Sequence, residues 1–233
     1  MKAIILAGGL GTRISEETET KPKPMVLLDD KPIIWHLMNS FALQGVNDFV
    51  IATGYLGHII HNWVDQLDTS WNVTALDTGS ETMTGGRVKQ CLDFIGEEKV
   101  FATYGDGLGN VNLKKLLEFH NGQEKLATVT AVHPPARFGV LEFKNGLVTH
   151  FGEKRQADAG WINGGFFVLE PEVKRFIHSD SEPFETGAMP RLLKAQQLTA
   201  FEHSDFWQPM DTLRERNELS ELANLPTPPW LLS

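Results

Sequence analysis

Three glycines in four positions, Gly8, Gly9 and Gly11, follow the apolar run Ala3–Ala7, and Arg13 stands two residues beyond the last of them. With no Cβ in the way, backbone N–H groups in such a turn can surround phosphate oxygens. A guanidinium fork at its end suits a polyphosphate. Lys21 and Lys23 each precede a proline, which favours an extended backbone and gives a lysine a fixed direction. The turn is neither a P-loop, since no Lys-Ser or Lys-Thr follows its last glycine, nor a dinucleotide fingerprint, since Ile14 stands where the third glycine belongs. Taken alone, a glycine cluster is more often a plain structural turn, and the lysines are equally readable as a solvated basic loop. Asp106 in "YGDG" is, by itself, an ordinary turn residue.

The elements that must position these residues alternate. Ala3–Ala7 and Phe49–Thr53 read as buried strands, and "KPIIWHLMNSFALQG" between them has Ile34, Leu37, Met38 and Phe41 at helical spacing. "WNVTALDTG" reads as a strand, "RVKQCLDFIG" as a helix, and "KVFATYGDG" as a strand that ends in an acidic turn. This rhythm predicts an α/β fold, a Rossmann-like, mainly parallel (mixed) sheet flanked by helices. Ligands of such sheets gather at the carboxyl ends of strands, where both the glycine turn and Asp106 fall. From about Ala127 the strand-like segments "ATVTAVHPP", "FGVLEF", "LVTHF" and "WINGGFFVLEP" are separated by turns, which predicts a smaller antiparallel portion. Helical segments follow around Pro171–Ile177 and Met189–Gln196 and near the carboxyl end, and "PTPPWLLS" reads as an extended arm packed on a neighbouring surface. We expect one domain, 1–233, with a lobe over 1–126 and a second over 127–233.

Composition narrows the function classes. A net charge of −9 with no basic stretch argues against nucleic acid as a partner. The single cysteine, Cys91, excludes an intramolecular disulfide and a cysteine-rich zinc site. No run approaches the roughly 18 apolar residues of a membrane span, and the first is too short for a signal peptide, so the expectation is a cytoplasmic protein. His36, His58 and His61 show no metal-ligand pattern and read as surface or helix residues.

"LAGGLGTR" followed by "KPKPM" and "KPI" closely resembles the signature of the sugar-1-phosphate nucleotidyltransferases. The resemblance continues in order along nearly the whole chain. "YGDG" resembles the family's metal-aspartate turn, "FGVLEF" its acceptor strand, "EKR" at Glu153–Arg155 its E-K-P sugar motif, "INGGFFVLEP" its N-x-G strand and "WQPMDT" its second metal aspartate. "WNVTALDTGSETMTGGRVK" and "FWQPMDTLRERNEL" look most like the branch that uses CTP and α-D-glucose 1-phosphate.

The resemblance implies attack of a sugar phosphate oxygen on the α-phosphorus of a nucleoside triphosphate, with pyrophosphate leaving. It implies that Leu6, Ala7, Gly8, Gly9, Leu10, Gly11, Thr12 and Gly105 surround the nucleotide, with Thr82 and Arg87 lining its site. Arg13 would clamp the departing β- and γ-phosphates, Lys23 would neutralise the α-phosphate, and Asp106 and Asp211 would hold Mg²⁺, whose hard oxygen preference suits carboxylates plus phosphates. Gly139, Glu153, Lys154, Asn163 and Gly164 would form the sugar-phosphate site. Glu153 with Lys154 is otherwise a surface ion pair, and Gly164 with Gly165 is otherwise a β-bulge. Gly85 and Gly86 are expected to turn helix N–H groups toward an anion or a base. "LDTGSE" lacks the Q-P pair usual in the thymidylyl and uridylyl branches, which favours CTP; UTP or dTTP, another sugar 1-phosphate, or a non-catalytic regulatory homologue are the alternatives. Two departures stand out: Arg155 replaces the proline of E-K-P, and "WVDQLDTSW" lacks an excursion of roughly two dozen residues usual in that branch, a loop of the kind that often covers a site. The family is commonly homo-oligomeric.

Overall fold

The computed structural model describes the chain except residues 10, 12, 13, 136–138, 145, 154–159 and 233, and, within helices and strands, the side chains of 15, 16, 139–143 and 150–153. The first half alternates as its apolar runs demand: β1 (Lys2–Leu6), the short α1 (Ser15–Thr18), a ribbon of β2 (Leu27–Leu28) and β3 (Lys31–Pro32), α2 (Ile33–Ala42), β4 (Asp48–Thr53), α3 (Gly57–Asp65), β5 (Asn72–Asp77), α4 (Thr84–Ile95) and β6 (Val100–Tyr104). The second half adds β7 (Gly107–Gly109), α5 (Leu113–Gln123), β8 (Ala127–Val132), the hairpin β9 (Gly139–Lys144) and β10 (Leu147–Glu153), β11 (Ile162–Asn163) and β12 (Phe167–Leu169). It ends with α6 (Ala188–Lys194), β13 (Leu198–His203), β14 (Trp207–Pro209) and α7 (Leu213–Ala223).

A mixed, mostly parallel sheet runs in the order β13-β8-β12-β6-β1-β4-β5, with β11 continuing the line of β12 along β8. β1 lies between β4 and β6, parallel to both, and its side chains alternate between two cores. Ala3 and Ile5 face α2 and α5; Ile4 and Leu6 face α4, Phe167 and Phe184. Burial on both faces explains why β1 reads as an unbroken apolar run rather than an alternating one. β8, β11, β12 and β13 join this same sheet, and the antiparallel elements set apart from it in the second half are the β9–β10 hairpin and the ribbon of β14 with β7.

Two expected features differ. Pro171–Phe176 is a 3-10 segment beginning at a proline. The carboxyl-terminal arm folds back on its own chain: Trp230 is buried in the core beside Phe206 and His36, and His36, a buried helix residue, meets the Leu28 carbonyl at 3.1 Å. Among the described residues no helix is long and apolar enough to cross a membrane.

Candidate active site

The glycine turn leaves β1 at its carboxyl end, where Arg87 on α4 holds its first residue, Gly8. That guanidinium is buried, with 3% exposure, and donates to the Gly8 carbonyl (2.9 Å), the Thr53 carbonyl (2.7 Å) and the Thr78 hydroxyl. A Cβ at Gly8 would lie 2.2 Å from the guanidinium carbon, so a side chain there would push Arg87 out of these bonds. Burial lowers the Arg87 pKa, with Asp77 opposing the shift. Leu6, Ala7, Gly8, Gly9, Gly11, Lys23 and the turn Ser80–Thr84 line a cavity of about 480 Å³ that also reaches Arg87, Tyr104, Asp106 and Asp211. Thr82 lines this cavity directly, whereas Gly105 lies beneath it with its N–H donated to the Leu6 carbonyl at 3.0 Å.

Gly85 and Gly86 do something other than the sequence suggested. They lie inside α4, the Gly85 N–H is donated to the Glu182 carbonyl, and a Cβ on Gly86 would meet the Asp180 backbone at 2.5 Å. These glycines admit the 180–182 backbone against the helix start, and that contact takes the N–H that an anion would have used.

Asp106 and Asp211, far apart in sequence, are brought together by an antiparallel ribbon. β7 pairs with β14 so that Gly107 faces Pro209, and the Met210 N–H is donated to the Asp106 carbonyl at 2.8 Å. Asp106 precedes one strand and Asp211 follows the other, so both carboxylates emerge at one end. Thr212 caps α7, and Glu215 turns back to accept the Asp211 N–H at 2.7 Å, which fixes the exit of the chain. Lys23 Nζ lies 2.7 Å from both Asp106 Oδ2 and Asp211 Oδ1. Burial lowers the Lys23 pKa, but the charges and hydrogen bonds of the two aspartates outweigh it and the net shift is upward.

This donor set fits a hard divalent cation: two carboxylate oxygens already converge on one positive charge. Among the described residues no group of three or more His, Cys, Asp or Glu side chains gathers to hold a metal. The remaining ligands would therefore be phosphate and water oxygens, the usual arrangement for Mg²⁺.

A second cavity, of about 790 Å³, opens on the other side of the same carboxylates. Asn163, Gly164, Phe166, Glu185 and Trp207 line it, and Tyr104, Asp106 and Asp211 border both cavities. Gly164 is held by the Trp207 indole N–H, donated to its carbonyl at 2.8 Å. Gly139 and Glu153 are register partners at the base of the β9–β10 hairpin. Leu10, Thr12, Arg13, Lys154 and Arg155 lie outside the described residues. Tyr104 and Glu185 carry no sequence signal that marks them as site residues: the tyrosine is one position of "YGDG", and nothing in "PFETG" distinguishes its glutamate.

A sequence profile of the nucleotidyl transferase family matches residues 2–214. The chain belongs to this family. It is 43% identical to glucose-1-phosphate cytidylyltransferase of Salmonella typhimurium over 253 residues, covering 99% of this chain and 98% of the relative. That span is at least 20 residues longer than the 233 available here. The chain passes from α3 to β5 through residues 66–71 alone, where Trp71 closes against Phe49 and Trp35. Among solved structures, HddC from Yersinia pseudotuberculosis complexed with GMP-PN matches with a TM-score of 0.74 and 25% identity, covering 94% of this chain and 98% of that one. UDP-glucose pyrophosphorylase complexed with UDP-glucose shares the fold with a TM-score of 0.72 at 18% identity, over 95% and 97% of the two chains.

Proposed function

We propose that this nucleotidyl transferase makes CDP-glucose and pyrophosphate from CTP and α-D-glucose 1-phosphate. The observation that carries the reading is the meeting of two cavities at one carboxylate pair, with the glycine turn on one side and the Asn163–Gly164 break on the other. Identity of 43% to a cytidylyltransferase over nearly all of both chains supports the choice of substrates.

The acceptor phosphate is already an anion, so the reaction needs alignment and charge stabilisation rather than a general base. The 1–126 lobe receives the triphosphate on the glycine turn, whose first residue, Gly8, is held by Arg87. Lys23, released from its carboxylates, supplies a positive charge to the phosphates, and Arg13 follows the turn where the β- and γ-phosphates would emerge. Asp106 and Asp211 would hold Mg²⁺, which supplies Lewis-acid stabilisation of the phosphoryl oxygens when bound. Cytosine offers an N4 amino donor, and Ser80, Glu81 and Thr82 bring acceptor oxygens to the wall of the nucleotide cavity. The 127–233 lobe takes the sugar through Asn163 and Gly164, with Gly139, Glu153 and Lys154 on and after the hairpin. A cytoplasmic setting agrees with both substrates and with the lone, buried Cys91, whose thiol burial pushes up to about 12 and leaves inert.

The test is pyrophosphate release from glucose 1-phosphate with CTP, UTP, dTTP, ATP and GTP in separate reactions. Release with CTP, lost in Asp106→Ala, supports the reading. Release only with another triphosphate replaces the base, and release with none overturns the reading.

A further inference from the structure

Asn163 reaches the acceptor cavity at the end of a hydrogen-bond chain whose polarity is fixed throughout. Thr84 Oγ1 accepts the Phe184 N–H at 2.8 Å and gives its proton to Glu185 Oε2 at 2.8 Å. Glu185 Oε1 accepts the Tyr104 hydroxyl at 2.5 Å. The single hydroxyl proton of Tyr104 is spent on Glu185, so its oxygen presents lone pairs alone to any other partner. Asn163 turns Nδ2 toward Tyr104, at 3.2 Å, and its Oδ1 accepts the Gly165 N–H at 2.9 Å, so the tyrosine oxygen and the backbone donor select the same amide orientation.

We propose that Glu185, acting through Tyr104, is a positioning residue that fixes the amide orientation of Asn163 for the sugar phosphate. This deepens the reading above and rests on it. The geometry leaves the second Nδ2 proton of Asn163 as the group available to the acceptor, which must answer with an oxygen lone pair. Thr84 lines the nucleotide cavity and Glu185 the acceptor cavity, so the same chain ties the start of α4 to the sugar side. Glutamine at 185 would break the polarity, because its amide can donate to Tyr104 and free the tyrosine proton to oppose Asn163 Nδ2.

The experiment is steady-state kinetics of Glu185→Gln, Tyr104→Phe, Asn163→Ala and the pairwise combinations with Asn163→Ala. It uses the sugar 1-phosphate and triphosphate on which the wild type releases pyrophosphate. Glu185→Gln and Tyr104→Phe should each raise KM for the sugar phosphate about tenfold, the value of one hydrogen bond, and change KM for the triphosphate less than twofold. In the Asn163→Ala background both effects should vanish, because the residue through which they act is gone. Additive effects in the double variants, or equal rises in both KM values, would overturn the proposal. A wrong base or sugar shows in the wild-type panel instead, and a wild type with no acceptor at all would overturn both readings.

Discussion

Lys23 sits where a divalent cation would have to go, and replacing it should make the metal site easier to fill. Its ammonium bridges Asp106 and Asp211 at 2.7 Å each. A charge-assisted hydrogen bond is worth about 1.5–3 kcal/mol. The Asp106 side chain is 33% exposed, so solvent screening removes most of the contribution on that side. A cation arriving alone must therefore overcome about 1.5–3 kcal/mol, equivalent to roughly 10- to 100-fold in affinity. Lys23→Met removes that competition and leaves the two carboxylates without their ammonium. Manganese titration followed by electron paramagnetic resonance, with no nucleotide present, should show the variant binding Mn²⁺ roughly 10- to 100-fold more tightly than wild type. Its melting temperature should fall without metal and recover with it. In wild type, added CTP should tighten Mn²⁺ binding, because the phosphates give Lys23 another partner; Lys23→Met should lose most of that coupling. Equal or weaker Mn²⁺ affinity in the variant would mean that Lys23 does not compete with the cation for the two carboxylates.

Other outcomes follow from the same geometry. Gly8→Ala drives a methyl group into the Arg87 guanidinium and should cost about 1–3 kcal/mol in urea unfolding, with nucleotide affinity falling further than stability alone explains. Arg87→Met removes the charged donor shared by the Thr53 and Gly8 carbonyls, although Thr78 and Tyr55 still donate to them, and should destabilise by about 1–3 kcal/mol in all, measured the same way. His36 and His120 both have pKa values lowered chiefly by burial, against an ordinary 6.5, so the folded state binds fewer protons than the unfolded chain as pH drops. Their contribution is complete above that value and shrinks below it; melting temperatures should decline from pH 7.5 to 5.5, and a flat profile would contradict this.

Much of this fold is legible in the sequence, for physical reasons that differ by element. β1 and β4 are short apolar runs buried on both faces, and α2 has its helical spacing facing one core, so composition and period carry them. The β8, β12 and β13 segments look alike in sequence whether they form a separate sheet or extend the first one; only their register shows the latter. The carboxyl-terminal arm looks extended because prolines dominate it, while the burial of Trp230 depends on a space between α2 and Phe206 that no local pattern encodes. Asp106 and Asp211 stand out through their motifs, but their convergence is a property of the β7–β14 pairing. Glu185 escapes entirely, since a single carboxylate in a loop acquires meaning only through Thr84 and Tyr104. The glycines of α4 mislead because a helix start with small residues looks the same whether an anion or another backbone approaches it.

A shared carboxylate site that joins a cytidylyl group to glucose 1-phosphate should reveal its choice of base in competition. The most direct measurement is a single reaction holding equal CTP, UTP and dTTP with glucose 1-phosphate and Mg²⁺, its nucleotide sugars resolved by mass spectrometry. Because the triphosphates compete, the product ratio reports their relative kcat/KM. CDP-glucose should be the dominant product, absent with Asp211→Ala. UDP-glucose or dTDP-glucose in excess, or no nucleotide sugar at all, would contradict this.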